Sequence, residues 1–111
     1  MKQQDFIRIT KLESLNEFSK NNDHTQTVLD DQWFCEGFLG NDIKLGEQID
    51  LFRIANYNYP TGRLGSFNTS IVEKIEPVDD KNCIIHTQNS IYKVEIREYD
   101  KSKYVMFFLD F

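Results

Sequence analysis

The clearest alternation of apolar and polar residues lies in residues 91–97, where Tyr92, Val94 and Ile96 interleave with Lys93, Glu95 and Arg97. A period of two with one wet face predicts a half-buried strand. Residues 6–12 (FIRITKL) alternate in part and are β-branched, which predicts a first strand. Residues 33–39 put Trp33, Cys35 and Leu39 on one face and Phe34, Glu36 and Phe38 on the other. Gly37 in their middle marks a bulge or a place where another backbone or a ligand comes close. Residues 48–55 set Ile49 and Leu51 against Phe52 and Ile54, with a slip of register expected near Leu51 and Phe52.

Three further segments are read less directly. In residues 66–76, Ser70 and Glu73 have capping-box spacing, and Ile71, Val72 and Ile75 have helical spacing. The β-branched composition and the stop at Pro77 favour a strand. Residues 83–87 form a short strand. Residues 104–111 (YVMFFLDF) are apolar on both faces up to Leu109, which predicts a strand covered on both sides and paired as a hairpin, 91–97 with 104–110.

One helix is predicted. Ser14 and Glu17 have the S-x-x-E spacing of a capping box, so a short helix follows, with Leu12, Leu15 and Phe18 on a shared side. Residues 19–27 read as an exposed linker. Asp30-Asp31-Gln32, Gly40-Asn41-Asp42 and residues 77–82 carry turn residues, and 56–65, with Pro60, Gly62 and Gly65, is a ten-residue connection. The sum is a mainly β single domain over residues 1–111: a small antiparallel β-barrel or strongly curved sheet of six or seven strands with one short N-terminal helix. Residues 1–27 are either part of its core or a peripheral strand–helix extension of it.

Composition narrows the function classes. A chain of 111 residues, 40% hydrophobic and 14% aromatic, buries an ordinary core without metal or disulfide staples. Its formal charge of −5 opposes duplex DNA, whose non-specific affinity comes from phosphate neutralisation. No apolar run approaches a membrane span or a signal peptide. The two cysteines, Cys35 and Cys83, belong to no Cys/His cluster, which reads as a cytoplasmic protein with reduced thiols.

Candidate chemistry is sparse. His24 lies in the polar linker and His86 on a strand, without ligand spacing to acids or cysteines, so no metal and no cofactor is expected. A catalytic pair of Cys35 or Cys83 with His86 would require spatial adjacency; buried structural cysteines and a surface histidine are the simpler reading. Asp30/Asp31 and Asp79/Asp80 fall in turns, where Asp hydrogen-bonds its own backbone. No Walker or dinucleotide loop is present in residues 60–66 (PTGRLGS).

What stands out is local contrast: between Leu51 and Val72 an acidic chain carries two arginines, Arg53 and Arg63, and no acid. Together with Tyr57, Tyr59 and Phe67, these residues hold an anion or a base by stacking and charge-assisted hydrogen bonds, or else pack a hairpin loop on its own rings. Thr69-Ser70-x-Val72 and Thr87-x-Asn89-Ser90-x-Tyr92 follow. Over residues 46–94 this pattern resembles one found in small β-rich bacterial proteins, and it implies no activity. Physically, these groups fix strand ends, or Thr69, Ser70, Asn89 and Ser90 converge as a polar pocket beside Arg53.

The expected function is a non-enzymatic binding or adaptor domain whose 53–70 surface takes a protein or a small anionic ligand. Its candidate ligand-binding residues are Arg53, Tyr57, Tyr59, Arg63, Phe67, Thr69, Ser70 and Asn89. The alternative is an OB-like binder of single-stranded nucleic acid or nucleotides, with Trp33, Tyr57, Tyr59 and Phe67 as platforms. An exposed terminal strand would allow a homo-oligomer.

Overall fold

The computed structural model describes residues 1–21, 27–29, 32–56 and 65–105. Its strands are β1 (Phe6–Ser14), β2 (Thr27–Leu29), β3 (Gln32–Leu39), β4 (Gln48–Asn56), β5 (Gly65–Pro77), β6 (Asn82–Thr87), β7 (Ser90–Ile96) and β8 (Tyr104–Val105), with helix α1 (Glu17–Asn21) between β1 and β2. Six of them, in the order β1-β3-β4-β5-β6-β7, close into an antiparallel barrel because β3 pairs with both β1 and β4 while β7 returns to β1. With β2 set aside the ring is a meander, each strand bonded to its neighbours in sequence. β2 forms a hairpin on the start of β3, and β8 pairs with the end of β4.

Alternation along each strand decides what faces the interior. Ile7 and Ile9 of β1, Cys35 and Leu39 of β3, Ile49 and Leu51 of β4, Val72 of β5, Cys83 and Ile85 of β6 and Val94 of β7 form one buried core. Met1 and Ile43 pack against it, tied together by the Ile43 N–H donating to the Met1 carbonyl at 3.0 Å. They close one end of the barrel.

A narrow six-stranded ring demands sharp coiling, and the sequence supplies it at specific points. A Cβ on Gly37 would lie 2.0 Å from the Phe52 carbonyl oxygen of β4, so only glycine lets β3 and β4 approach as they do. The ladder there is unbroken, which makes Gly37 a close approach and not a bulge. The irregularities lie instead at Lys11/Glu13, at Gln48/Asp50 against β5, and at Val72/Lys74. β4 therefore stays regular through Leu51 and Phe52, against the expected slip. Phe52 and Ile54 point outward by alternation with Leu51; Phe52 stays exposed, while Ile54 joins an outer-wall cluster with Phe6, Phe38, Tyr99 and Tyr104.

That cluster corrects the expected hairpin of 91–97 with 104–110. β7 is bonded on both edges, to β1 and β6, and has none left for a terminal strand; residues 106–110 lie outside those described. The chain after β7 crosses the outer face instead, where Tyr99 and Tyr104 pack on Phe6 and Phe38 with ring centroids 5.1–5.7 Å apart. Beside them the buried Glu36 accepts from the Tyr104 hydroxyl at 3.0 Å and pairs with Arg8 and Arg97 at 3.4 and 3.6 Å.

The N-terminal part differs from expectation as well. β1 is bonded on both edges and closes the ring, so it is no peripheral extension. Ser14 still belongs to β1, and Asn16 caps α1 by accepting from the Ser19 N–H at 2.9 Å. Leu12, Leu15 and Phe18 are all exposed, so they form no buried side. α1 and β2 shorten the expected linker at both ends; residues 22–26, including His24, lie outside those described. Residues 66–76 are strand throughout. Among the described residues no helix is long and apolar enough to cross a membrane.

Candidate functional site

At the end of the barrel opposite Met1 and Ile43, the inward residues change character. The positions that follow Ile9, Leu51 and Ile85 in the same alternation are Lys11, Arg53 and Thr87; Ser90 and Tyr92 precede Val94, and Thr69 precedes Val72 by three residues across the β4–β5 irregularity. Helix α1, the start of β5 and the tight β6–β7 turn at Gln88 and Asn89 meet here. Between them lies a cavity of about 280 Å³.

Its inner wall is aromatic. Trp33, Phe67 and Tyr92 meet edge to face, with centroid separations of 5.8 Å from Trp33 to each of the others and 6.5 Å between Phe67 and Tyr92. Each cation rests on one of these rings, Lys11 Nζ 5.1 Å from the Trp33 centroid and the Arg53 guanidinium 5.9 Å from that of Phe67. Phe18 of α1 stands on the rim, 67% exposed.

Polar groups complete the lining. The Thr69 hydroxyl accepts the Ile49 N–H at 3.0 Å, where the β4–β5 ladder is interrupted, and donates to the Ser70 carbonyl at 2.7 Å. The Ser70 hydroxyl accepts the Asn89 N–H at 3.0 Å. Arg53 donates to the carbonyls of Gly65 and Ser66 at 3.3 and 3.2 Å, anchoring the start of β5. Lys11, only 6% exposed, donates to the Ser19 carbonyl at 2.8 Å. Ser19 and Ser90 join through their hydroxyls, and Asn16 Nδ2 donates to Asn89 Oδ1 at 2.9 Å. The lid formed by α1 is thus held to the mouth by polar contacts. One donor is unmet: the Trp33 indole N–H is buried with no hydrogen-bond acceptor among the described residues.

Lys11 and Arg53 bring two cationic groups to the lining, and among the described residues no carboxylate lines it.

Five of the residues singled out from sequence, Arg53, Phe67, Thr69, Ser70 and Asn89, line this one cavity, with Ser90 and Trp33. Tyr57, Tyr59 and Arg63 lie outside the described residues. Lys11 and Ser19 were missed. The signal for Lys11 was its parity with Ile7 and Ile9, which turns it inward; for Ser19 there was none, because only the contact between α1 and β7 buries it.

The other candidates disperse. Cys35 and Cys83 are unpaired and face the core, whereas His86 is on the outer wall, paired with Glu76 at 2.9 Å, so no Cys–His pair forms. Burial pushes the Cys35 thiol up to about 12, outweighing the opposing pull of the Arg53 guanidinium, and burial also raises that of Cys83. Neither is poised as a nucleophile. Asp79 accepts from the Lys81 N–H and from Asn82 Nδ2, the turn role, and these hydrogen bonds hold its carboxyl below the usual range. Asp30 and Asp31 lie outside the described residues. No group of His, Cys, Asp and Glu among the described residues is placed to hold a metal ion.

The fold is a closed six-stranded antiparallel meander barrel. Comparison with protein-family models, curated proteins and solved structures returns no match.

Proposed function

We propose that this protein is a non-enzymatic binding module that takes a small anionic ligand in the mouth of its barrel, between Lys11 and Arg53. The observation that supports this reading is a concave site at which Lys11, Arg53, the hydroxyls of Thr69 and Ser70 and the side chain of Asn89 converge over an aromatic wall. A cavity of about 280 Å³ sits at the lower edge of the usual range for small-molecule sites. It suits a metabolite-sized guest better than a protein loop. The unmet Trp33 indole N–H supports the reading, since it offers a hydrogen bond to an incoming acceptor.

The OB-like nucleic-acid reading draws less support. OB domains are five-stranded Greek-key barrels that bind strands across an open face, whereas this ring is a six-stranded meander. Trp33, Phe67 and Tyr92 are packed on one another and present no row of open ring faces. The unpaired cysteines in the core fit a reducing, cytoplasmic compartment.

Trp33 is the chain's single tryptophan, so its emission reports on this cavity. Titration with acetate, benzoate, citrate and inorganic phosphate should give a saturable change for at least one anion, lost in Arg53→Met and Lys11→Met. Absence of saturation with every anion at low ionic strength contradicts the proposal.

A further inference from the structure

We propose that α1 is a gate: it opens as a unit while the ring beneath it stays folded, and so admits guests to the cavity it covers. The anion-site reading bears only on what passes; the gate itself stands on how α1 is attached.

A five-residue helix does not persist by itself, since isolated helices shorter than about 12 residues are marginal in water. What docks α1 therefore decides whether it stays. Between Leu15 and Lys20 only Ser19 is buried, while Leu15 and Phe18 are 47% and 67% exposed. Opening uncovers little apolar area at these positions. Among the described residues, the last backbone bond from this segment to the barrel runs from the Leu15 N–H to the Asn89 carbonyl at 2.8 Å. Beyond it, Asn16 Nδ2 donates to Asn89 Oδ1, the Ser19 and Ser90 hydroxyls meet, and Lys11 Nζ donates to the Ser19 carbonyl. Water replaces such bonds when they open, so they resist opening less than a buried apolar face does.

The cavity beneath favours opening as well. The Trp33 indole N–H is buried and meets no acceptor among the described residues, and it regains a hydrogen bond when water enters. The ring has no such incentive. β1 and β7 are bonded on both edges, and Ile7, Ile9, Ile85 and Val94 have no solvent contact. The two regions part at Leu15.

Hydrogen exchange on the intact protein, read by nuclear magnetic resonance without any ligand, tests the gate. Trp33 is the single tryptophan, so its indole N–H gives one signal to set against the Val94 amide in the ring. The expected result is an indole protection factor at least about tenfold below that of Val94 and nearly independent of urea. Ile9→Val, which weakens the core and leaves the contacts of α1 alone, should lower the protection of Val94 and not that of the indole. Asn16→Ala, which strikes the attachment of α1, should lower that of the indole several-fold. An indole that shares the protection and urea dependence of Val94, or that follows Ile9→Val, overturns the gate, because exchange then requires the ring to unfold. An indole indifferent to Asn16→Ala overturns it too, since water then reaches Trp33 by another route. Either failure leaves the anion titration untouched, and a failed titration leaves the gate in place.

Discussion

The two ends of the barrel are built from the same strands and the same inward alternation, yet they bury opposite kinds of side chain. Toward Met1 and Ile43 the inward positions are Ile7, Ile9, Leu39, Ile49, Leu51, Ile85 and Val94, essentially without solvent contact. Two residues further along β1 and β4 they become Lys11 and Arg53, and on β5, β6 and β7 they become Thr69, Thr87 and Ser90. The strand pattern explains why all of these point inward; it does not explain why the second set is polar. An apolar plug would bury more area at no desolvation cost. Lys11 is held under α1 by the Ser19 carbonyl and rests on the Trp33 indole face.

Substitutions at the apolar end should break the fold first. Gly37→Ala is expected to have the largest effect, because its Cβ would meet the Phe52 carbonyl at 2.0 Å and the neighbour is backbone. Soluble yield and the near-ultraviolet dichroism check it. Ile9→Ala, at a fully buried core position, should cost about 2–5 kcal/mol by urea denaturation.

Alkali should act on the same core. The folded Cys35 thiol titrates at about 12 against an ordinary 9.0, so the native state holds this proton more tightly than the unfolded chain does. The stability it confers is complete below about pH 9 and is lost as pH rises toward 12. Cys35→Val should therefore show a shallower decline over that window than the wild type, measured as the denaturation midpoint against pH.

At the mouth the effects should be smaller. Asn16→Ala removes the cap of α1 and its bond to Asn89, at a cost of about 1 kcal/mol. Hydrogen exchange should localise the loss to α1 and the β6–β7 turn. Lys11→Met, which keeps length and apolar stem but leaves the Ser19 carbonyl without its donor, should cost about 1–3 kcal/mol, read as the denaturation midpoint.

The same contrast explains what could be read from the sequence. β7 was legible because Tyr92, Val94 and Ile96 face the core while Lys93 and Glu95 face water, so the period of two is visible. The pairing of the chain's end was not. An apolar run on both faces carries no register, and the choice of β4 over β7 depends on Tyr99 and Tyr104 meeting Phe6 and Phe38 across nearly the whole length of the sequence. The cap of α1 was misplaced by two residues because β1 continues to Ser14 past its irregularity at Lys11/Glu13. At the site, Arg53, Phe67, Thr69, Ser70 and Asn89 stood out as an acid-free stretch and a hydroxyl-rich turn. Lys11 was hidden because lysine in an alternating strand normally faces solvent.

The most direct measurement is a paired one on Lys11→Met and Arg53→Met: the denaturation midpoint and the anion titration followed by Trp33 emission, on the same preparations. The expected result is a fold modestly weakened in both, by loss of the bond to Ser19 in Lys11→Met and of those to Gly65 and Ser66 in Arg53→Met, and anion binding reduced at least about tenfold in both. Midpoints that drop as far as that of Ile9→Ala, with wild-type anion affinity retained, would contradict a binding role for the mouth and return Lys11 and Arg53 to the architecture of the barrel.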